Sequence, residues 1–327
     1  MNQRPLVSIV IPVYNGSNFL AQAIDSALAQ TYPNTEVLVI NDGSRDDGAT
    51  ERIALSYGAR IRYYPKENGG VSSALNLGIQ KMRGEYFSWL SHDDLYTPDK
   101  IEKQVALLEK APPGAVLMCG TEYVDADARP LHRYQKPFRE GAYTSSEMFS
   151  SIFSGCYISG CALLVPKTAF EQAGLFDTEL KYMQDMQMWY RILLLGRPFY
   201  YAKDTGVLSR VHEKQTTVTS KHLGRQDALQ VGEFLIDQLE KRDDAGALLK
   251  QYMFLCLRNR SPMAKKARAI LGRKKQLSVR ERIRCKWMQL YGGLRPVLVK
   301  LYYKLFFHIR IKSPSCPDSP ADAANRK

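Results

Sequence analysis

The chain has 327 residues, 45% of them hydrophobic and 24% charged, and a formal net charge of +13. That length and balance exclude a disordered, fibrous or disulfide-stapled chain and fit one large α/β domain with an appendage, or two ordinary domains. No apolar run reaches the roughly 18 residues of a membrane-spanning helix. The excess charge is confined to the last third, where residues 221–327 hold 24 Lys/Arg against 9 Asp/Glu, compared with 22 against 24 in the first 220.

Residues Met1–Leu6 carry no signal-peptide pattern and lead into V-S-I-V-I-P-V (Val7–Val13), a β-rich run of the kind buried on both sheet faces. Ser17 is expected to cap a helix carrying Phe19, Leu20, Ala23, Ile24, Ala27 and Leu28 at helical spacing, which stops before Pro33. A second strand, Glu36–Ile40, ends in the turn N-D-G-S (Asn41–Ser44). The pattern then predicts a helix over 48–57, a strand over 60–64, a helix over 70–82 and a strand over 85–90. Alternating strands and helices imply right-handed βαβ units and a mostly parallel sheet, which binds ligands at the carboxyl ends of its strands. The polar, Gly-rich clusters Tyr14-Asn15-Gly16, Asn41-Asp42-Gly43-Ser44 and Ser91-His92-Asp93-Asp94 all stand at such ends. No G-x-G-x-x-G follows the first strand, which argues against a dinucleotide site.

Further along, a helix over 98–110 begins at Pro98 and a strand covers 115–124. Thr144-Ser145-Ser146-Glu147 has capping-box spacing before another helix. Ser159–Val165 reads as a strand, Asp185–Leu195 as a helix with Met188, Ile192 and Leu195 on one face, and Tyr200–Val207 as the last strand. From 221 the pattern is helical only. Twelve basic residues lie between Arg258 and Lys286 against one acid, Glu281, and an amphipathic stretch follows with Tyr291, Leu294, Leu298, Leu301, Leu305 and Ile309. The expected organisation is a catalytic domain over 1–220, a basic helical extension over 221–312 and a disordered Pro/Ser-rich tail over 313–327. Cys119, Cys156, Cys161, Cys256, Cys285 and Cys316 form no C-x-x-C pair and no zinc-like spacing, and read as reduced core residues of a cytoplasmic protein.

Four acids at strand or helix ends are candidates for chemistry, and each has a plainer reading. Asp42 lies in ordinary turn chemistry, Asp93 and Asp94 can solvate a loop, and a carboxylate such as Asp185 is favourable at a helix start in any case. Their order on a parallel sheet gives them a shared purpose.

Residues 6–212 resemble a family 2 glycosyltransferase of the GT-A fold. The similarity is carried by V-S-I-V-I-P-V-Y-N (Val7–Asn15), L-A-Q-T-Y-P-N (Leu28–Asn34), V-L-V-I-N-D-G-S (Val37–Ser44) and N-G-G-V-S-S-A-L-N-L-G (Asn68–Gly78). It continues through W-L-S-H-D-D-L-Y-T-P-D (Trp89–Asp99), G-L-F-D (Gly174–Asp177) and Q-D-M-Q-M-W-Y-R (Gln184–Arg191). The resemblance implies an inverting transferase using a nucleotide-sugar donor and a glycan or lipid-linked acceptor. Pro12 and Tyr14 would then line the base pocket, Asp42 would accept from the uracil ring of a UDP-sugar, and Asn68, Gly70 and Asn76 would border the nucleoside. Asp93 falls at the family's metal-binding aspartate, with Asp94 and His212 as further candidates for Mg²⁺ or Mn²⁺. His92 or Asp94 would contact the ribose or a bound water. Ser91 stands where the family often has a third acid. Asp185 falls at the family's base, preceded by Gln184 rather than the commoner Glu. Ser159 and Gly160 would border the acceptor, and the pair in S-R-V-H-E-K-Q (Ser209–Gln215) would face the diphosphate.

The chemistry explains the residue types. A departing nucleoside diphosphate needs a hard cation held by carboxylates, and an acceptor hydroxyl needs a carboxylate to take its proton. The basic extension suits in-plane association with an anionic membrane surface, placing the protein peripherally on the cytoplasmic face. An oligomerisation helix is the remaining reading, and no nucleic-acid fold is recognisable. Two alternatives to a transferase stand beside it. A nucleotidyltransferase lacks its Gly- and Lys/Arg-rich loop after the first strand, and a degenerate sugar-nucleotide- or lipid-binding scaffold is favoured only by Ser91.

Overall fold

Val7–Val13 (β1) is buried at all seven residues, as a strand covered on both faces must be. The computed structural model describes residues 4–132, 135–213, 215, 221–259 and 261–291. β1 is followed by Leu20–Leu28 (α1), Thr35–Asn41 (β2), Ala49–Ser56 (α2), Arg62–Pro65 (β3), Val71–Lys81 (α3) and Tyr86–Trp89 (β4). β1 pairs in parallel with β2 on one side (Val7 opposite Thr35) and with β4 on the other (Val7 opposite Tyr86), and β3 lies parallel outside β2. The chain thus steps outward from β1 to β3, then returns across β1 to lay down β4. Such a reversal of strand order opens a crevice at the carboxyl ends of the strands.

The second half contains Leu95–Tyr96 (β5), Lys100–Ala106 (α4), Val116–Val124 (β6), Pro130–Leu131 (β7), Gly141–Tyr143 (β8) and Ser145–Phe153 (α5). It continues with Leu163–Pro166 (β9), Lys167–Ala173 (α6), Gln184–Leu194 (α7) and Phe199–Arg210 (β10). The sheet runs β3-β2-β1-β4-β9-β6-β10-β5. The long ladders, β1 with β2 and β4, β2 with β3, and β6 with β10, are parallel as strand–helix alternation predicts, while β9 is antiparallel to both β4 and β6 and makes the sheet mixed. β9 is L-L-V-P, buried throughout. Its apolar composition matches a parallel core strand, and direction is decided only by pairing.

Two local expectations change. Ser17 does not cap α1: Gly16 O accepts the N–H groups of Phe19 (3.1 Å) and Leu20 (3.0 Å), so a turn through Ser17 and Asn18 delays the helix. Residues Gly160–Ala162 form a 3₁₀ turn, and the strand expected from Ser159 begins only at Leu163. The capping box is present, with Thr144 N–H donating to Glu147 (2.8 Å) and Glu147 N–H to Thr144 Oγ1 (3.3 Å).

The remaining described helices are Lys221–Glu240 (α8), Gly246–Arg258 (α9), Met263–Arg273 (α10) and Val279–Tyr291 (α11). The chain divides into compact units at Tyr252/Met253, not at the charge boundary near 220. α8 therefore belongs with the sheet, and it buries Val231, Leu235, Ile236 and Leu239. In the second unit Met263, Ala264, Ala267, Ile270 and Leu271 of α10 are buried, Cys285 Sγ lies 3.8 Å from Met253 Sδ, and the Arg284 guanidinium stands 4.1 Å over the Phe254 ring. The amphipathic stretch beyond Tyr291, the tail over 313–327 and Cys316 lie outside the described residues. The five described cysteines are buried and free. No described helix is long and apolar enough to cross a membrane.

Candidate active site

Four loops leave the carboxyl ends of β1, β2, β3 and β4. At the end of β1, Pro12 is buried within the strand and Tyr14 is exposed just beyond it. Asn15 joins the first two loops: its N–H donates to Ser44 Oγ (2.9 Å) and its Oδ1 accepts from Arg45 N–H (2.7 Å).

The second and third loops are assembled on Asp42. Its buried carboxylate accepts from Lys66 Nζ (2.6 Å), Gly69 N–H (3.0 Å) and Gly70 N–H (2.7 Å), while its own carbonyl accepts from Asn68 Nδ2 (2.8 Å). Asp42, Asn68 and Gly70, all assigned to the nucleoside from sequence, are thus gathered into one hydrogen-bonded loop. Lys66 was not anticipated; the signal was a cation in K-E-N-G-G, directly ahead of the glycines. Gly70 has φ +86° and ψ 168°, a region that only glycine enters without strain. We expect Gly70→Ala to lower stability by about 1–3 kcal/mol, read as a fall in the unfolding midpoint, although nothing lies within 4 Å of the added Cβ. Asn76 Nδ2 donates to Phe176 O (2.9 Å) and its Oδ1 accepts from Phe176 N–H (2.8 Å), which ties α3 to the G-L-F-D segment.

The fourth loop carries Ser91-His92-Asp93-Asp94. His92 packs against the first loop, where a Cβ on Gly16 would stand 2.4 Å from its ring. Burial holds its pKa below the ordinary histidine value, against the pull of Asp93. Asp93 Oδ2 lies 3.0 Å from His212 Nε2. Burial resists ionisation of Asp93, but the His212 hydrogen bond and the neighbouring His92 outweigh it and hold the carboxyl below its usual range. Asp94 is occupied elsewhere: its Oδ1 accepts the N–H of Arg210 (2.8 Å), and burial together with the charge of Asp93 pushes its pKa up to about 7. Asp94 thereby tethers this loop to the end of β10.

Arg210, expected near the diphosphate, is 1% exposed and acts as the bolt of this loop. Its Nε donates to Asp93 O (2.8 Å), its Nη2 to Gln22 Oε1 (2.8 Å) and its Nη1 to Ala126 O, and the guanidinium lies 4.3 Å from the Phe19 ring centroid. The backbone of Asp93 is thereby fixed at the end of β4.

Asp185 is the second residue of α7, with Oδ1 accepting Met186 N–H (2.6 Å). Burial raises its pKa to about 6 against the lowering effect of that bond. Tyr157 is 52% exposed, and the charge of Asp185 pushes its hydroxyl well above its usual value. Tyr157 was missed, although an aromatic two residues ahead of Ser159-Gly160 was a visible signal. Gly160 is buried, and a Cβ there would stand 2.6 Å from the Trp89 ring; it is a packing position and not an acceptor wall. Ser159 supplies its carbonyl to Ala162 N–H (3.1 Å) in the same turn. Cys161, in the same turn, has its Sγ 3.3 Å from Ser91 Oγ, two residues before Asp93.

Residues 8–174 match the family model described as Glycosyl transferase family 2. The chain belongs to that family. An uncharacterized glycosyltransferase of Rickettsia typhi is 50% identical over 219 residues, 66% of this chain and 67% of the relative. The hyaluronan synthase of Pasteurella multocida is 43% identical over 104 residues, 31% of this chain and 11% of that protein. Among solved structures, S. aureus TarS 1–349 in complex with UDP superposes with a TM-score of 0.63 at 18% identity, over 91% of this chain and 87% of that one. This likeness shows that the glycosyltransferase has the GT-A fold.

The family's divalent ion can be tested against the residues present. Among the described residues no group of three or more His, Cys, Asp or Glu could enclose an ion. Asp93 and His212 offer one hard oxygen and one imidazole 3.0 Å apart. Mg²⁺ and its relatives commonly bind through one or two protein ligands plus substrate phosphates. The pair in this glycosyltransferase fits an ion shared with the donor diphosphate, not one caged by protein.

Proposed function

We propose that this glycosyltransferase moves a sugar from a UDP-sugar to a hydroxyl of a glycan or lipid-linked acceptor in cell-envelope polysaccharide synthesis, inverting the anomeric centre in one displacement. The observation that carries the reading is the Asp185 carboxyl at the start of α7, with its pKa raised by burial to about 6. A base with a pKa just below neutrality is ionised at working pH yet still basic enough to take a hydroxyl proton as the bond forms. The loop built on Asp42, with Asn68 and Gly70, binds the nucleoside, and Tyr14 offers an exposed ring to the base. Asp93 and His212 would hold Mg²⁺ or Mn²⁺, which neutralises charge on the departing diphosphate. Tyr157 orients the acceptor hydroxyl towards Asp185. The UDP in the TarS complex and the polysaccharide named in hyaluronan synthase support this donor and product class.

A thermal-shift series with UDP-, GDP- and ADP-sugars tests the reading. UDP-sugars are expected to raise the unfolding midpoint, and Mn²⁺ to enlarge the rise, as any ligand selective for the native state does. Stabilisation by ADP-sugars alone would reassign the base pocket, and indifference to Mn²⁺ would remove the ion.

A lipid-linked acceptor and a peripheral site on the cytoplasmic face of the membrane are supported by α11. Val279, Ile283 and Trp287 are exposed at intervals of four and share a helical stripe, with Arg280, Arg282 and Lys286 exposed beside them. A helix of this kind lies in the plane of an anionic interface. At roughly 1 kcal/mol per cation, replacing Arg280, Arg282 and Lys286 with Gln is expected to weaken binding to phosphatidylserine vesicles by about 10²-fold in a sedimentation assay. Equal binding to neutral phosphatidylcholine vesicles would end the membrane reading.

A further inference from the structure

The N-cap residue of α7 is Met183, whose side chain cannot accept a backbone N–H. The amides ahead of it are nonetheless held by a residue from outside the motif. Asp227 of α8 is 6% exposed, and its Oδ2 accepts the N–H groups of Lys181 (2.9 Å), Tyr182 (2.6 Å) and Met183 (3.0 Å). Three successive amides converge on one carboxylate oxygen more than forty residues away in sequence. One helical turn earlier, Gly224 brings the α8 backbone against the same segment: a Cβ there would stand 2.9 and 3.0 Å from ring atoms of Tyr182. Gly224 and Asp227 are three residues apart and share a helix face. Together they clamp Tyr182 by its ring and its backbone, three residues before Asp185.

We propose that Asp227 is a positioning residue for transfer, which fixes the entry to α7 and thereby the reach of the Asp185 carboxylate towards the acceptor hydroxyl. The inference rests on Asp185 being the base, as proposed above. A helix start without a local cap frays unless its neighbourhood is satisfied from elsewhere. An error of about 1 Å in the placement of a reacting group costs on the order of 10²-fold in rate. An ionised carboxylate makes stronger bonds to backbone N–H groups than a neutral amide oxygen does, so the charge matters as well as the shape. The three amides that Asp227 holds lie on the entry to α7 and not on the proposed donor loops, so donor binding is expected to survive its substitution.

The test compares full-length wild type with Asp227→Asn, which keeps the shape, and Asp227→Ala, which removes the acceptor. Hydrogen exchange is read at the amides of residues 181–183, the Asp185 carboxyl is titrated by carbon NMR, and turnover of a UDP-sugar is measured. Exchange at the three amides is expected to accelerate at least about 10-fold in Asp227→Asn and further in Asp227→Ala, the free energy of a charge-assisted bond. The Asp185 titration is expected to fall from about 6 towards 3.8 as the loosened loop admits water. The kcat is expected to fall about 10²-fold with donor KM within 2-fold. Unchanged exchange in a folded variant would overturn the clamp. Faster exchange with an unmoved Asp185 titration would overturn the positioning role. Absence of UDP-sugar turnover in wild type would defeat the proposed function instead, and the exchange and titration results would still decide the role of Asp227.

Discussion

Asp185→Asn is expected to lower turnover by about 10²–10⁴-fold, the usual contribution of a positioned general base, while leaving affinity for UDP within a factor of two. The substitution preserves the size of the side chain and its bond to Met186 N–H, so the start of α7 keeps its geometry. What is lost is the ability to accept a proton. UDP affinity is expected to stay because the loop proposed to bind the nucleoside is assembled on Asp42, on a different element. The wild-type pH profile carries the same signature. Burial raises the Asp185 pKa to about 6, and as the proposed base it accepts a proton only when ionised. Turnover should therefore climb with pH through about 6, about tenfold per unit below it, and level off above. In Asp185→Asn that limb should vanish. A variant that retains substantial turnover, or a profile flat from pH 5 to 7, would move the base elsewhere.

Asp93→Ala is expected to weaken Mn²⁺-dependent UDP binding by at least about 10–100-fold, the loss seen when even an outer partner of a metal ligand is removed. His212 would lose the acceptor at 3.0 Å that orients its ring. Titration calorimetry with UDP, with and without Mn²⁺, measures the effect directly. Asp94→Asn is the matched control. Asp94 serves Arg210 N–H, and an amide oxygen can accept the same bond. Its UDP affinity should change by less than about 3-fold, since a conserved neutral hydrogen bond leaves little free energy to lose. Equal losses in both variants would place Asp94 at the ion site as well.

These two acids show where sequence reasoning succeeds and where it stops. Asp93 and Asp94 are adjacent and identical in S-H-D-D, and only the family resemblance sets Asp93 ahead as a ligand. Their fates diverge because successive side chains at the end of β4 turn to different surroundings, one to His212 and the other to the backbone of Arg210. Arg210 itself reads as a free cation in S-R-V-H and is instead locked into the loop by its three partners. Asn76 fits the nucleoside motif by position, and its amide bonds to Phe176, a hundred residues away.

The sequence alone determined the first four strands and three helices and the clustering of polar loops at their carboxyl ends, and it singled out Asp42, Asp93 and Asp185 as candidates. Those features follow from local periodicity, turn chemistry and ordered motifs, which are written in neighbouring residues. Only the tertiary structure decided the antiparallel course of β9, the burial of Asp94 and the membership of α8 in the catalytic unit. Charge marked residue 220 as a frontier, but burial of Val231, Leu235 and Ile236 draws α8 across it. Pairing direction, desolvation and long-range hydrogen bonds depend on which distant segments meet, and no local pattern encodes that.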